Sequence, residues 1–401
     1  MPKDIHKPSS IETLMMKILF IALTTLLLMG SASAQAQIRL LNDRVTLSGF
    51  GTLGLIHSDQ DKADFVRDVG QPKGAEQGWS ARTDTRLGLQ ANVRLTDELD
   101  TVVQGMSQYH SSGDFSPELM LAFVRYAPGP SFQLRVGRLG WDVDLLSESR
   151  YIGYASPWVR PPVDHFGVLQ LTWIDGADAT FTRALGDDLV WARFFAGSSD
   201  SRFFMTDSLE AEFDAHQVLG GHLNFETGSW RFRAGYTRVR SDVSFSGDDA
   251  DLIGQLYSVD ANRYLNYLTG FDELQIYSLG ASWSAGPLQL QATWNRDILA
   301  EGDTWLDTGF VSAAWRVEKW TPYVMVSGVR THDSREDPLG SNVSQHTESL
   351  GLRYDVMTNV ALKAQLDHIH TRVPGLLWRG TQGEWKNDQS NLVSLGLDFI
   401  F

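Results

Sequence analysis

Cysteine is absent from all 401 residues. That excludes a disulfide framework and any thiolate metal site, so a chain of this size must be held together by other means. Long apolar runs are missing too: after Met29 none approaches the roughly 20 residues a membrane-spanning helix needs. If the bulk of the chain resides in a membrane, it must do so as a closed β-barrel, the other architecture that satisfies every backbone group internally. Positive charge is in deficit, with 34 Lys and Arg against 49 Asp and Glu for a net charge of −15. Such acidity argues against a nucleic-acid partner and against docking on an anionic membrane surface. It is compatible with a polar lumen and acidic loops.

At the N-terminus, Lys17 precedes an apolar run from Ile18 to Met29 and the small-residue segment Gly30-Ser31-Ala32-Ser33-Ala34. That order reads as a secretory signal peptide cleaved after Ala34, with Ala36 as the alternative site. The polar stretch from Met1 to Leu14, ahead of Met15-Met16, is read most simply as a mis-called start codon. The expected organisation is a signal peptide over 1–34 and a single barrel over 35–401.

Within 35–401 the dominant pattern is period-2 alternation, as a strand with one face in lipid and the other in water requires. Val393, Leu395, Leu397, Phe399 and Phe401 share one face of the last segment, opposite Ser394, Gly396 and Asp398. Leu87, Leu89, Ala91, Val93 and Leu95 alternate with Arg86, Gly88, Gln90, Asn92 and Arg94. Segments 230–237 and 288–295 repeat the pattern, and no helical period fits these rows.

The connections alternate as well. Tight links are expected at 96–98, 128–130, 186–188, 227–229, 286–287, 317–319 and 357–359. Long polar stretches separate them near 58–82, 111–117, 141–167, 198–213, 241–270, 297–303, 333–345 and 372–389. This predicts an all-β, transmembrane antiparallel barrel of about 16 strands, with short periplasmic turns and long extracellular loops. One strand must run from Gln170 to Leu185 through Asp175-Gly176, itself a turn-like pair; splitting it would give an odd strand number.

The first strand around Val45-Thr46-Leu47-Ser48-Gly49-Phe50-Gly51, the alternating architecture and the terminal Leu397-Asp398-Phe399-Ile400-Phe401 resemble the Gram-negative outer-membrane porin superfamily. The segments Ser147-Glu148-Ser149-Arg150-Tyr151-Ile152-Gly153-Tyr154 and Pro157-Trp158-Val159-Arg160-Pro161-Pro162 resemble those of a group of proteobacterial porin-like proteins. The resemblance covers essentially all of 35–401. It implies a location in the cell outer membrane and a passive diffusion channel for small hydrophilic solutes and ions. It also implies Phe401 as an assembly signal for the barrel-assembly machinery, contact with lipid and lipopolysaccharide, and a homotrimer. The 13 Trp, 11 Tyr and 20 Phe, many at strand ends, suit the aromatic girdles of such a barrel better than a secreted all-β protein.

Motifs that point to other chemistry are weak. Gly49-Phe50-Gly51-Thr52-Leu53-Gly54 formally matches a dinucleotide fingerprint, yet no helical period follows it, and its glycines more simply relieve crowding in a strand. His368-x-His370 places two imidazoles on one strand face, but further metal ligands are not evident nearby in sequence. The acidic clusters Asp59, Asp61, Asp64 and Asp248, Asp249, Asp251 lack the calcium-loop pattern; they read as solvated loop charge, or as weak divalent-cation sites facing lipopolysaccharide phosphates. No G-x-S-x-G elbow appears. No enzyme activity and no cofactor are expected, with a plugged surface-binding or adhesion barrel, or less favourably an outer-membrane hydrolase, as alternatives.

The informative constellation is electrostatic. Arg86, Arg94, Arg135, Arg231, Arg233 and Arg353, with Lys363, fall at inward positions and form the expected pore wall, since cations at mid-membrane on the lipid face cost about 2–4 kcal/mol each. The third long loop carries Asp142, Asp144, Glu148 and Asp164. By the porin resemblance this loop folds into the lumen and sets acids against the basic wall as the pore constriction; the same charges could equally form a lattice that braces the barrel.

Overall fold

The computed structural model describes residues 38–40, 44–169, 171–205, 207–247, 250, 272–299, 304–333, 342–381 and 385–401. The expected signal peptide, the acidic cluster at 248–251 except Ala250, and most of the loop expected at 241–270 lie outside these residues.

Sixteen strands form the barrel: β1 Val45–Ser58, β2 Arg86–Arg94, β3 Leu99–Gln108, β4 Pro117–Gly129, β5 Phe132–Gly140, β6 Trp173–Leu185, β7 Asp188–Phe204 and β8 Glu210–Thr227. They continue as β9 Trp230–Ser246, β10 Glu273–Ala285, β11 Leu288–Leu299, β12 Thr304–Trp315, β13 Trp320–Asp333, β14 Ser344–Met357, β15 Val360–Val373 and β16 Asp388–Ile400. Every neighbour is antiparallel, and β1 closes the ring by pairing with β2 on one side and β16 on the other. The alternation decides which way each residue faces. Leu89, Phe194, Leu223, Leu279, Val311, Leu350 and Leu366 are exposed outward, while Thr52, Asn224, Ser278, Asn295, Gln365 and Ser394 are buried inside. In a bilayer the outward row is the buried one, because hydrocarbon takes the place of a protein core.

All seven tight links join consecutive strands where expected. Asp175-Gly176 lies inside β6, which begins at Trp173 rather than Gln170. There Gly137, Gly176 and Gly197 stand side by side on β5, β6 and β7, and a β-carbon at Gly176 would fall 2.6 Å from the α-carbon of Gly197. Asp175 is held by Arg138 at 2.7 Å, which stacks on Trp173. A turn signal is thus overridden by close strand approach and a cross-strand ion pair. The loop expected at 198–213 is shorter than the sequence suggests: β7 and β8 stay paired to Phe204–Glu210 beyond a bulge at Gly197/Ser199. Polar Ser198, Asp200 and Ser201 read as loop, but Phe203 and Phe213 turn inward and are buried, which extends the hairpin.

At this same end, opposite the tight turns, the first and last long loops tie together. Asp64–Phe65 pairs with Trp378–Arg379, and Arg379 donates to the carbonyls of Val69 and Gln71 at 2.9 and 3.1 Å. Asp59 accepts from the Asn391 backbone and side chain at 2.7 and 2.6 Å, so it serves the loop framework.

The seam between β1 and β16 explains the glycines of the first strand. Gly49 and Phe401 exchange backbone hydrogen bonds of 2.8 and 3.0 Å. A β-carbon at Gly49 would lie 2.7 Å from a Phe401 ring carbon, and one at Gly51 2.8 Å from a Phe399 ring carbon. The terminal rings therefore lie on the glycine backbone. Deleting Phe401, or making Gly51→Val, is expected to reduce closed barrel without affecting synthesis or export. Heat-modifiable electrophoretic mobility of outer-membrane fractions reads this, and wild-type levels of folded barrel in both variants would contradict it.

Candidate pore constriction

The segment from Trp141 to Thr172, between β5 and β6, turns into the lumen because its charges and its apolar side chains both find partners there. It contains a one-turn helix, Val163–Phe166, and a 3-10 turn, Gly153–Ala155. Three groups of polar contacts hold it against different parts of the wall.

The first is centred on Asp142, which receives Arg193 and Arg233 at 2.5 Å each and His222 at 2.9 Å. Burial alone would raise the Asp142 carboxyl, but the His222 hydrogen bond and the Arg233 and Arg193 charges hold it below the usual carboxylate range. Glu148, half exposed, meets Arg193 at 2.7 Å and Arg135 at 3.4 Å, while Arg135 also pairs with Asp178. The second group is in the middle of the loop. Asp164 accepts from Ser327 and Gln345 at 2.6 and 2.7 Å, and Asp144 meets His165 at 3.2 Å.

The third group is built on two buried cations, Arg160 and Lys363. Arg160, 2% exposed, makes 2.8 Å contacts with both Asp84 and Asp367, and also reaches the Ser394 hydroxyl. Beside it, Lys363 binds Asp398 at 2.7 Å and donates to the carbonyls of Gly153 and Trp158 at 2.6 and 2.8 Å. Arg353 donates to the carbonyls of Tyr154 and Ser156 at 2.7 and 3.0 Å. Apolar packing adds to this: Trp141, Trp158, Val163, Phe166 and Leu169 form a buried cluster with wall residue Phe310.

The expected site residues thus separate. Asp142, Glu148, Arg135 and Arg233 converge. Arg353 and Lys363 grip the loop backbone. Asp144 and Asp164 are buried among hydrogen-bond partners. Arg94 is exposed at the short-turn end of β2, and Arg231, at the same end of the barrel, pairs with Glu226. Arg86 makes no ion pair with the loop acids, although Asp84 and Asp398 lie near enough to act on its charge. It is 3% exposed, and its Nε and Nη2 have no hydrogen-bond partner among the described residues.

Arg86 lines a cavity of about 510 Å³ together with Arg67, Gln108, Arg150, Tyr151 and Ser201. Arg150 spends Nη2 on the Leu171 carbonyl at 2.9 Å, leaving Nε and Nη1 unpartnered among the described residues. Sequence reasoning missed Arg150, Arg160, Asp84, Arg193 and His222. A usable signal existed for Arg160 alone: a single cation between Trp158-Val159 and two prolines must be buried with its counter-charges.

Removing a partner from a buried ion pair costs about 3–5 kcal/mol. Arg160→Ala is therefore expected to lower barrel stability by about that much in denaturant titrations and to open 141–172 to proteolysis. Glu148→Gln, at a half-exposed pair, should change stability by less than about 1 kcal/mol. Equal stability losses in the two variants would contradict this assignment.

No family model and no curated protein matches the sequence. Solved structures do. Outer-membrane-expressed OmpT of Vibrio cholerae superposes with a TM-score of 0.53 at 11% identity, over 91% of this chain and 100% of that one. An anion-selective porin from Comamonas acidovorans gives 0.52 at 13% identity, over 89% and 99%. Salmonella typhi OmpF, in complex with daunomycin, gives 0.55 at 12% identity, over 91% and 100%. With sixteen antiparallel strands closed into a ring and a long loop folded into its lumen, the chain has the fold of the outer-membrane porin barrels.

Proposed function

We propose that this barrel is exported by its signal peptide to the outer membrane, where it acts as a passive diffusion channel that favours small anionic solutes. The observation that carries the reading is the pair Arg86 and Arg150: two buried guanidinium groups with unused donors line the same cavity. The lining carries five arginines, Arg67, Arg86, Arg138, Arg150 and Arg202, against Asp68, Glu118 and Asp200, and the loop acids Asp142 and Asp144 are matched by cations or an imidazole, so the balance of charge at the cavity is positive. Cations beside a narrow passage with low-dielectric walls raise the local anion concentration.

Two other readings have specific observations. The apolar cluster around Trp158, Phe166 and Phe310 occupies lumen that a wide pore would leave wet, which favours a plugged barrel with a surface-binding role. For a hydrolase, His165 links Asp144 to the Thr308 hydroxyl at 3.2 and 2.9 Å, an acid–imidazole–hydroxyl order. All three are fully buried, and the rings of Phe166 and Phe310 pack on His165, so the arrangement supports bracing better than turnover.

Single-channel recording in planar bilayers separates these readings. Discrete conductance with an anion-selective reversal potential in a salt gradient is expected. Arg86→Gln and Arg150→Gln should each move the reversal potential toward cations, more at low salt, because screening shortens to about 10 Å near 0.1 M. Absence of conductance would favour the plugged barrel, and an unchanged reversal potential in both variants would remove the anion preference.

A further inference from the structure

The sequence offers His368 and His370 as an imidazole pair without further ligands. Antiparallel pairing supplies the missing ones from β14. His346 stands opposite His370, and Glu348 opposite His368. Directly opposed residues bring their β-carbons to about 4.5–5.5 Å, so the partner strand adds an imidazole and a carboxylate to the donors that the H-x-H pair offers on its own strand.

The side chains are arranged accordingly. One ligand atom from each of His346, Glu348 and His370 falls within 4.8 Å of the others. The His346 and His370 rings stack with centroids 4.4 Å apart. The His368 ring meets His370 edge-on at 4.4 Å, and its Nδ1 is held by Asn391 Oδ1 at 2.8 Å, so it buttresses the pair. These residues continue the outward rows of Leu350 and Leu352 on β14 and Leu362 and Leu366 on β15. They sit near the long-loop ends of their strands, two residues in from Ser344 and three from Val373. The cluster is therefore on the outer wall near the rim, away from the lumen.

We propose that His346, Glu348 and His370 form a site for a late first-row divalent metal ion such as zinc, nickel or copper(II). Two imidazole nitrogens and one carboxylate suit these borderline ions, whereas calcium and magnesium demand oxygen donors. Three protein ligands leave a tetrahedral ion one position for water or another external oxygen donor. Bound there, the metal cross-links β14 to β15 at the rim.

The test is isothermal titration of the folded, full-length barrel in detergent micelles with zinc chloride. One zinc per chain is expected, with no comparable heat from calcium chloride. His346→Ala and His370→Ala should each weaken binding by about tenfold or more, as loss of even outer-shell partners does. His57→Ala, on the far side of the β1–β16 seam, should leave it unchanged. Glu348→Gln keeps the side-chain shape and should also weaken binding, which preserves the test if a histidine variant fails to give heat-modifiable barrel. Copper(II) in place of zinc should show nitrogen hyperfine coupling from two imidazoles. No zinc binding by the parent protein, unchanged affinity in the site variants, or an equal loss in His57→Ala would each overturn the proposal. None of these outcomes depends on whether the lumen conducts.

Discussion

A bilayer core holds no water to hydrogen-bond a free strand edge, and this constraint governs the whole structure. The sheet has to close on itself, so the first strand must meet the last. That seam carries a tight steric requirement: Gly49 and Gly51 lie under the rings of Phe401 and Phe399. Closure then forces each strand to face two solvents, lipid outside and the lumen inside. The alternation of Leu, Val and Phe with Thr, Ser, Asn and Arg follows from it.

A polar interior of this width cannot simply be left open around a long connection. The segment 141–172 must place its own backbone and charges somewhere, and the lumen offers matching groups. Arg160 is held between Asp84 and Asp367, and Asp142 between Arg193 and Arg233. These buried pairs brace the loop at two points of the wall, and the rings of Trp158, Phe166 and Phe310 fill the space between. What remains open is defined by what the loop does not satisfy, namely the spare guanidinium donors of Arg86 and Arg150. Bracing and the proposed anion preference thus draw on one set of charges, divided by whether each has found its partner.

The outer wall shows the same logic on its other face. His346, Glu348, His368 and His370 occupy lipid-row positions that would be costly near the membrane midplane, but they lie close to the rim, where polar outward groups are tolerated. Their proximity depends entirely on the register between β14 and β15. A one-residue slip would turn all four toward the lumen or separate them.

The sequence by itself determined the class of fold, the seven tight turns, the even strand number and the inward direction of Arg86, Arg135, Arg233 and Lys363. Each follows from local chemistry: period-2 polarity, turn residues, and the cost of charge in hydrocarbon. Residue pairing across distance was not legible. Nothing local distinguishes Asp142, which gathers three cationic or imidazole partners, from Asp144 two residues on, which braces His165. Strand parity alone carried a strand through the turn-like Asp175-Gly176, and Arg138 with the glycines of neighbouring strands supplies the physical reason; His370 lacked ligands until β14 brought His346 alongside. Only the tertiary structure decided these points, because a barrel's register joins residues tens to hundreds of positions apart, and charge pairs, cavities and metal donors are properties of that register.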